Sequence, residues 1–480
     1  MCIPDRPREL RFAPVGLRWR NAGVIISIVS MIPLLDHGIS TVALTSLAVL
    51  QCFGMGLGFY AIGSALRASD FFHPSVVART TFVVLYMASL PLLAFSPDAL
   101  EAVGISAHDP DACARRAVVV QTVALTGMCA MLGGERLVRL ARSNSRILSG
   151  APITGRFLWS GLAVIGVGMW ANANICGGWG AYLAKMARFY ERSEQWMAFS
   201  LEGGFLVSQL IRWLPMGIIV VAWGCTQSWR LGPIGATIVL LVASGCNLLL
   251  SSATGGRGIG LTTLFFSIIL FNSAIRRFQL RTLVLVVSVV VCLGFIQGIA
   301  RGMVRTEGAF AVESVEERLT ESRMRTFWLS YLTNDLRLLQ VVDAVDVYGI
   351  AGGRTLLDPV FSLVEGRPAR TTGIELADRV PDAPRTASSR FGVLADAYYN
   401  LGIVGVAAIM CVVGMAVGVL ARLYTWADPR HSVQGAVIVC WATFTANVVV
   451  AANVHALPKY FLLASLPVYG FAGLLGSRRS

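Results

Sequence analysis

Residues 251–266 read SSATGGRGIGLTTLFF, with one arginine, Arg257, set behind two glycines and just ahead of an apolar run. Read as a membrane helix, that run puts a permanent cation at the lip of a bilayer span. Composition decides the reading. In 480 residues, 55% are hydrophobic and only 14% charged, and the mean hydropathy is +0.66. The apolar residues fall in long runs, more than a soluble core can use. The fold class is therefore an all-α polytopic membrane protein. A net charge of +13 raises nucleic acid as a partner, but the arginines are dispersed between apolar runs and form no stripe, so no nucleic-acid partner is expected.

Cysteine and histidine add little. Most of the ten cysteines lie in or beside apolar runs, where a thiol behaves as a small hydrophobe, and no CxxC pair occurs. His37, His73, His108, His431 and His455 are scattered singly, so no metal site and no cofactor is expected. The N-terminal sequence, basic and then apolar without a small-residue cleavage site, reads as a retained first span.

A helix needs about 20 apolar residues to cross the hydrocarbon core, and about twelve such windows can be placed. They fall near 21–38, 43–66, 77–95, 117–134, 157–176, 203–224, 233–250, 258–272, 281–299, 391–421, 433–452 and 459–476. The 258–272 window is short, and 233–272 also reads as one broken helix. Arginine excess in short connections orients the set. Arg6, Arg8, Arg11, Arg18 and Arg20, the 135–156 and 274–281 connections, and Arg478 with Arg479 gather on one side, the cytoplasm. The expected organisation is then a cytoplasmic N-terminus (1–20), nine spans (21–299), a large outer loop (300–390), three spans (391–476) and a cytoplasmic tail (477–480). Both termini are cytoplasmic.

Arg257 then faces outward, beside the positive N-terminal end of the span that follows it. Glycines 255, 256 and 258 would let a ligand reach the backbone, which makes an anion-binding corner. A snorkelling interfacial arginine next to a flexible turn fits the same residues. Segment 177–202 carries Trp179, Tyr182, Met186, Phe189, Tyr190 and Trp196 at helical spacing. It reads as an interfacial amphipathic helix, either stacking sugars or anchoring aromatics.

The 300–390 loop is long enough for a folded cap. Arg301 and Arg305 lie one helical turn apart at its start, and Ser314 with Glu317 matches a capping box. An apolar stripe follows through Leu319, Phe327, Tyr331, Leu332, Leu336 and Leu339, and a second short helix is expected at 355–364. DAVD (343–346) falls inside the helical pattern, and the loop has no DxD pair, GxSxG elbow or P-loop. Nucleotide-dependent chemistry is disfavoured, which favours a substrate already in the membrane.

The loop returns to the membrane through SSRFGVLADAYYNLGIVGVAAIM, 388–410. This stretch, the large outer loop before it and the TGGRG turn resemble the Wzy-type O-antigen and capsule polymerases and the related O-antigen ligases. Arg257 and Gly258 match the "GRG" turn that opens a span in that superfamily. Asp396, Tyr399, Asn400, Gly402 and Gly405 resemble its second motif. The resemblance implies a GT-C-like glycosyltransferase on the outer face of a bacterial cytoplasmic membrane. It would polymerise undecaprenyl-diphosphate-linked oligosaccharide repeats into O-antigen, capsule or exopolysaccharide, with a chain-length-determining copolymerase as the partner the family implies. Arg257, Gly256 and Gly258, with Arg301, Arg305 and Arg390, become candidates for the diphosphate or sugar, since guanidinium forks onto phosphate oxygens. Asp396 becomes the candidate base for the acceptor hydroxyl, with Tyr399 and Asn400 orienting the base or a sugar. Asp396 also reads as an interfacial helix cap. The histidine common at this place in the ligases is absent, which favours the polymerase over a ligase-like transferase.

The rival class is a transporter or flippase of lipid-linked oligosaccharide. A two-half porter would put its longest connection between the sixth and seventh spans and show internal repeats. Here the longest loop follows the ninth, and charge within the spans is sparse.

Overall fold

The structure is a computed structural model. It describes residues 13–31, 41–68, 70–87, 110–140, 156–187, 207, 210–252, 257–279, 281–282, 284–285, 288, 334–358, 372, 375–376 and 392–452. Within them the chain is helical. In order come α1 (Ala13–Met31), α2 (Thr41–Ala68), α3 (Pro74–Tyr86), α4 (Pro110–Leu140), α5 (Arg156–Cys176), α6 (Trp179–Ala187), a 3₁₀ turn (Ile211–Trp213), α7 (Leu214–Ser228) and α8 (Pro233–Ser252). They are followed by α9 (Arg257–Leu270), which runs into a π turn (Phe271–Ile275), then α10 (Asn334–Tyr348), α11 (Gly392–Trp426) and α12 (Val433–Ala451). Five helices, covering Val42–Arg67, Asp111–Leu140, Pro233–Ser251, Gly392–Trp426 and Val433–Ala451, are long and apolar enough to cross a membrane. Only helices satisfy their own backbone in hydrocarbon without a closed sheet, so this is a helical multi-pass membrane protein.

Local sequence sets the helix starts. Proline occupies the first position of α3, α4 and α8, where its missing N–H costs nothing. His73 caps α3 by accepting from Ser75 N at 3.3 Å, and Ser432 caps α12 by accepting from Gly435 N at 3.1 Å. The 233–272 region is two helices, not one broken helix. α8 and α9 pack against each other, joined by a serine pair at 3.1 Å (Ser244–Ser267) and by the Asn247 amide on the carbonyls of Ile259 and Gly260. Most of the 281–299 window and all of 459–476 lie outside the described residues.

Three helices depart from their expected windows for visible reasons. α1 starts at Ala13 instead of 21 because Trp19 lies on the α2 surface at Gly63, where a Cβ would come within 2.9 Å of the indole. α4 runs through Leu140 instead of stopping near 134 because Glu135 turns into the bundle. α11 is not one continuous span. Gly402, at φ 63 and ψ −154, breaks it into an arm, 392–401, and a long helix, 403–426.

The most extensive packing is between α4 and α11. The two backbones touch, since a Cβ on Gly134 would run into the Cys411 carbonyl and one on Gly414 into that of Met131. α3, α10 and α12 pack around this pair, and α7 and α9 against α12. The bundle has two ends. α10 and the α11 arm mark the loop end, while the 427–432 turn marks the far end, where Gln227 of α7 donates to the carbonyls of Pro429 and Arg430. α8 therefore runs back to the loop end, and Arg257 opens α9 there.

Gly134→Leu is expected to destabilise the detergent-solubilised protein by about 3 kcal/mol or more, because the backbones cannot separate without unpacking the bundle. Exposed Gly133, with nothing within 4 Å of a Cβ, serves as the control. Gly133→Ala should stay within about 0.5 kcal/mol in the same thermal-unfolding measurement.

Candidate functional site

At the loop end, the α11 arm carries Asp396, Tyr399 and Asn400, all buried. Asp396 is 2% exposed. The side chain of Asn400 is spent inside the protein. Its Nδ2 donates to Thr355 Oγ1 at 2.6 Å and to the Asp396 carbonyl at 2.7 Å, and its Oδ1 accepts from Thr355 N at 3.1 Å. Thr355 Oγ1 in turn lies 2.9 Å from Thr372 Oγ1. The backbone adds one more tie, from Ala351 N to the Tyr399 carbonyl at 2.9 Å. Buried Glu375 and Leu376 lie close by in sequence. A neutral polar cluster thus binds two parts of the 300–390 region to the arm just ahead of the Gly402 break.

The same region is held from a second side. α10 buries Leu338, Leu339, Val341 and Val342, and its Asp343 pairs with Arg116 of α4 at 2.5 Å. DAVD therefore sits in a helix, as its pattern suggests, with its first carboxylate in an ion pair. The helical turn after Gly353 covers 354–358 of the expected 355–364 helix. Ser314 and Glu317, and the stripe residues Leu319, Phe327, Tyr331 and Leu332, lie outside the described residues.

Arg257 is the first residue of α9, so the glycine-rich turn does open a helix at its arginine. Asp396, Tyr399 and Asn400 come together on the arm, at the same end of the bundle as this helix start. Gly256, Arg301, Arg305, Arg390 and the side chain of Arg257 lie outside the described residues. Of the aromatic segment, 179–187 forms α6. Tyr182 is fully buried and donates to the Leu250 carbonyl at 2.8 Å, which pins α6 to the end of α8. That tyrosine is packing, while Trp179 stays exposed.

The far end holds a charged cluster that no local motif marks. Arg79 Nη2 lies 2.7 Å from Glu135 Oε2, with side chains 7% and 2% exposed. Ser75 donates to Glu135 Oε1 at 2.7 Å, Arg139 pairs with the same carboxylate, and Arg79 Nη1 donates to the Ala61 carbonyl at 2.5 Å. Arg79 stands alone in an apolar run and Glu135 reads as the start of a basic connection, so only the helix register reveals the pair. Beside it, burial holds the His73 imidazole down at about 4. The ring stays neutral, which keeps Nδ1 able to cap α3. Tyr424 donates to the Asp70 carboxylate.

Comparison with protein-family models, curated proteins and solved structures found no match.

Two predictions follow from these clusters. Asn400→Leu should release the 351–358 segment, read as faster amide exchange there at a cost of about 2 kcal/mol for the buried partners left on Thr355. Arg79→Met alone should cost about 3–5 kcal/mol by leaving Glu135 charged and buried, whereas Arg79→Met with Glu135→Leu should recover most of that loss in thermal unfolding.

Proposed function

We propose that the protein is a membrane glycosyltransferase that polymerises lipid-diphosphate-linked oligosaccharide on the outer face of a bacterial cytoplasmic membrane. The observation that carries this reading is the loop end itself. A carboxylate, Asp396, lies on a broken membrane helix beneath a polar-bonded cover, and the Arg257-headed helix opens at the same end. The resemblance of these two segments to the Wzy-type polymerases adds the substrate class.

In this reading the acceptor hydroxyl attacks the anomeric carbon of the donor sugar, and the bond from that carbon to the diphosphate oxygen breaks. The lipid diphosphate leaves already ionised, so cations suffice to stabilise it and no acid is needed. Arg257 is the leading cation, with Arg301, Arg305 and Arg390 in support. Asp396 takes the hydroxyl proton. Asn400 positions the arm through the Asp396 carbonyl and the Thr355 contacts. A base that is 2% exposed requires the 349–358 cover to move aside for the acceptor. The left-handed glycines at 349, 352 and 353 give that segment its turning points.

The test uses lipid-linked repeat units extracted from a strain of the source organism that lacks the gene, incubated with purified protein in nanodiscs. Wild type should build chains, while Arg257→Ala and Asp396→Asn, each folded by size exclusion, should lose activity by about 10²-fold or more. Absence of chains with the wild type, together with translocation of the same lipid in vesicles, would replace this reading with the flippase.

A further inference from the structure

The arm and its cover present an apolar surface at the loop end that the preceding reading does not use. After the Gly402 break, Ile403 and Val404 are exposed, Val404 at 76%, and Val412 and Val419 continue the exposed face along the membrane-crossing part of α11. In a membrane helix of this length that face meets lipid. The cover extends it. Ile350 is 54% exposed and sits beside the kink, 3.2 Å from where a Cβ on Gly402 would lie. Leu401 of the arm, Val347 and Tyr348 at the end of α10, and Leu357 of the cover are exposed as well. A hydrophilic loop in water would not leave five apolar side chains at such positions, and tyrosine favours the membrane interface.

Arg354 stands in the same segment, one residue before the Thr355 that binds Asn400. It is exposed, and no hydrogen bond or ion pair among the described residues engages it. The neighbouring carboxylates are otherwise placed. Asp343 pairs with Arg116, Asp346 lies near Tyr398 of the arm, and Asp358 has a contact of its own. A cation at the rim of a lipid-facing apolar surface is at the level of phosphate headgroups.

We propose that residues 347–357 form a lip immersed in the bilayer interface at the loop end, where Ile350 and Leu357 meet acyl chains and Arg354 holds the phosphate of an anionic lipid. The inference rests on the membrane class of the protein and stands whether or not the protein is a glycosyltransferase. Where it is one, a lipid phosphate held by Arg354 lies next to the segment that covers Asp396.

The test places a benzophenone amino acid at position 350, 357 or 412 of the full-length protein, reconstituted in vesicles of equal parts phosphatidylcholine and phosphatidylglycerol. Illumination should give lipid adducts at 350 and 357 as it does at 412, the lipid-facing standard. Adducts at 412 alone would overturn the lip. The adduct at 350 should carry phosphatidylglycerol about fivefold above the bulk ratio. Arg354→Ala should return it to the bulk ratio and Arg354→Lys should retain the excess. A wild-type adduct already at the bulk ratio, or an excess that survives Arg354→Ala, would remove Arg354 from the assignment.

Discussion

Backbone contact between α4 and α11, where Gly134 meets Cys411 and Gly414 meets Met131, sets the positions of everything at both ends of the bundle. In lipid there is no hydrophobic force to hold two apolar helices together, so close van der Waals packing over small residues has to do it. Once the two glycines fix the separation and register, Glu135 on α4, the residue after Gly134, faces Arg79. At the other end of the same helix, Arg116 reaches Asp343 of α10, and the α11 arm comes to lie under the cover. A side chain at either glycine would shift the charged cluster and the candidate site together.

The break at Gly402 gives this rigid pair its one irregularity. A continuous α11 would carry Asn400 along the axis of the membrane span. With φ at 63 the arm changes direction, and Asn400 meets Thr355, whose hydroxyl bonds in turn to Thr372. Non-helical backbone at membrane depth is tolerated only where protein or a polar cavity surrounds it. Here Ile350 covers the break from outside and the Asn400 bonds secure it from within. The same geometry leaves Ile350 between the kink and the lipid face, which is why the lip and the candidate site are parts of one feature.

Much of this was legible in the sequence, for reasons that differ from residue to residue. Apolar runs of about 20 residues announce membrane helices whatever they pack against, so α2, α8 and α12 fall close to their expected windows. The start of α9 at Arg257 was readable from the glycines before it, whereas the motif that singled out Asp396, Tyr399 and Asn400 said nothing of their burial on one arm. The break at Gly402 was not, because glycine is common in membrane helices and only the returning loop makes this one bend. Tyr182 read as part of an aromatic stripe, yet its hydroxyl finds the Leu250 carbonyl, a partner 68 residues away. Arg79 and Glu135 are 56 residues apart, and nothing local marks either as half of a pair.

The two polar clusters differ in a way that bears on which end can work. At the far end the charges are opposite, close and almost fully enclosed. Separating them would strand an ion in low dielectric, which costs several kcal/mol, and that holds α2, α3 and α4 in one arrangement. At the loop end the bonds among Asn400, Thr355 and Thr372 are neutral. Each contributes about 1 kcal/mol net where water can replace it, and the segment that carries Thr355 turns on three left-handed glycines. A cover tied by such bonds can open at modest cost and close again in register. The asymmetry places motion at the end that carries Asp396 and the start of α9, and rigidity at the end that carries Arg79 and Glu135.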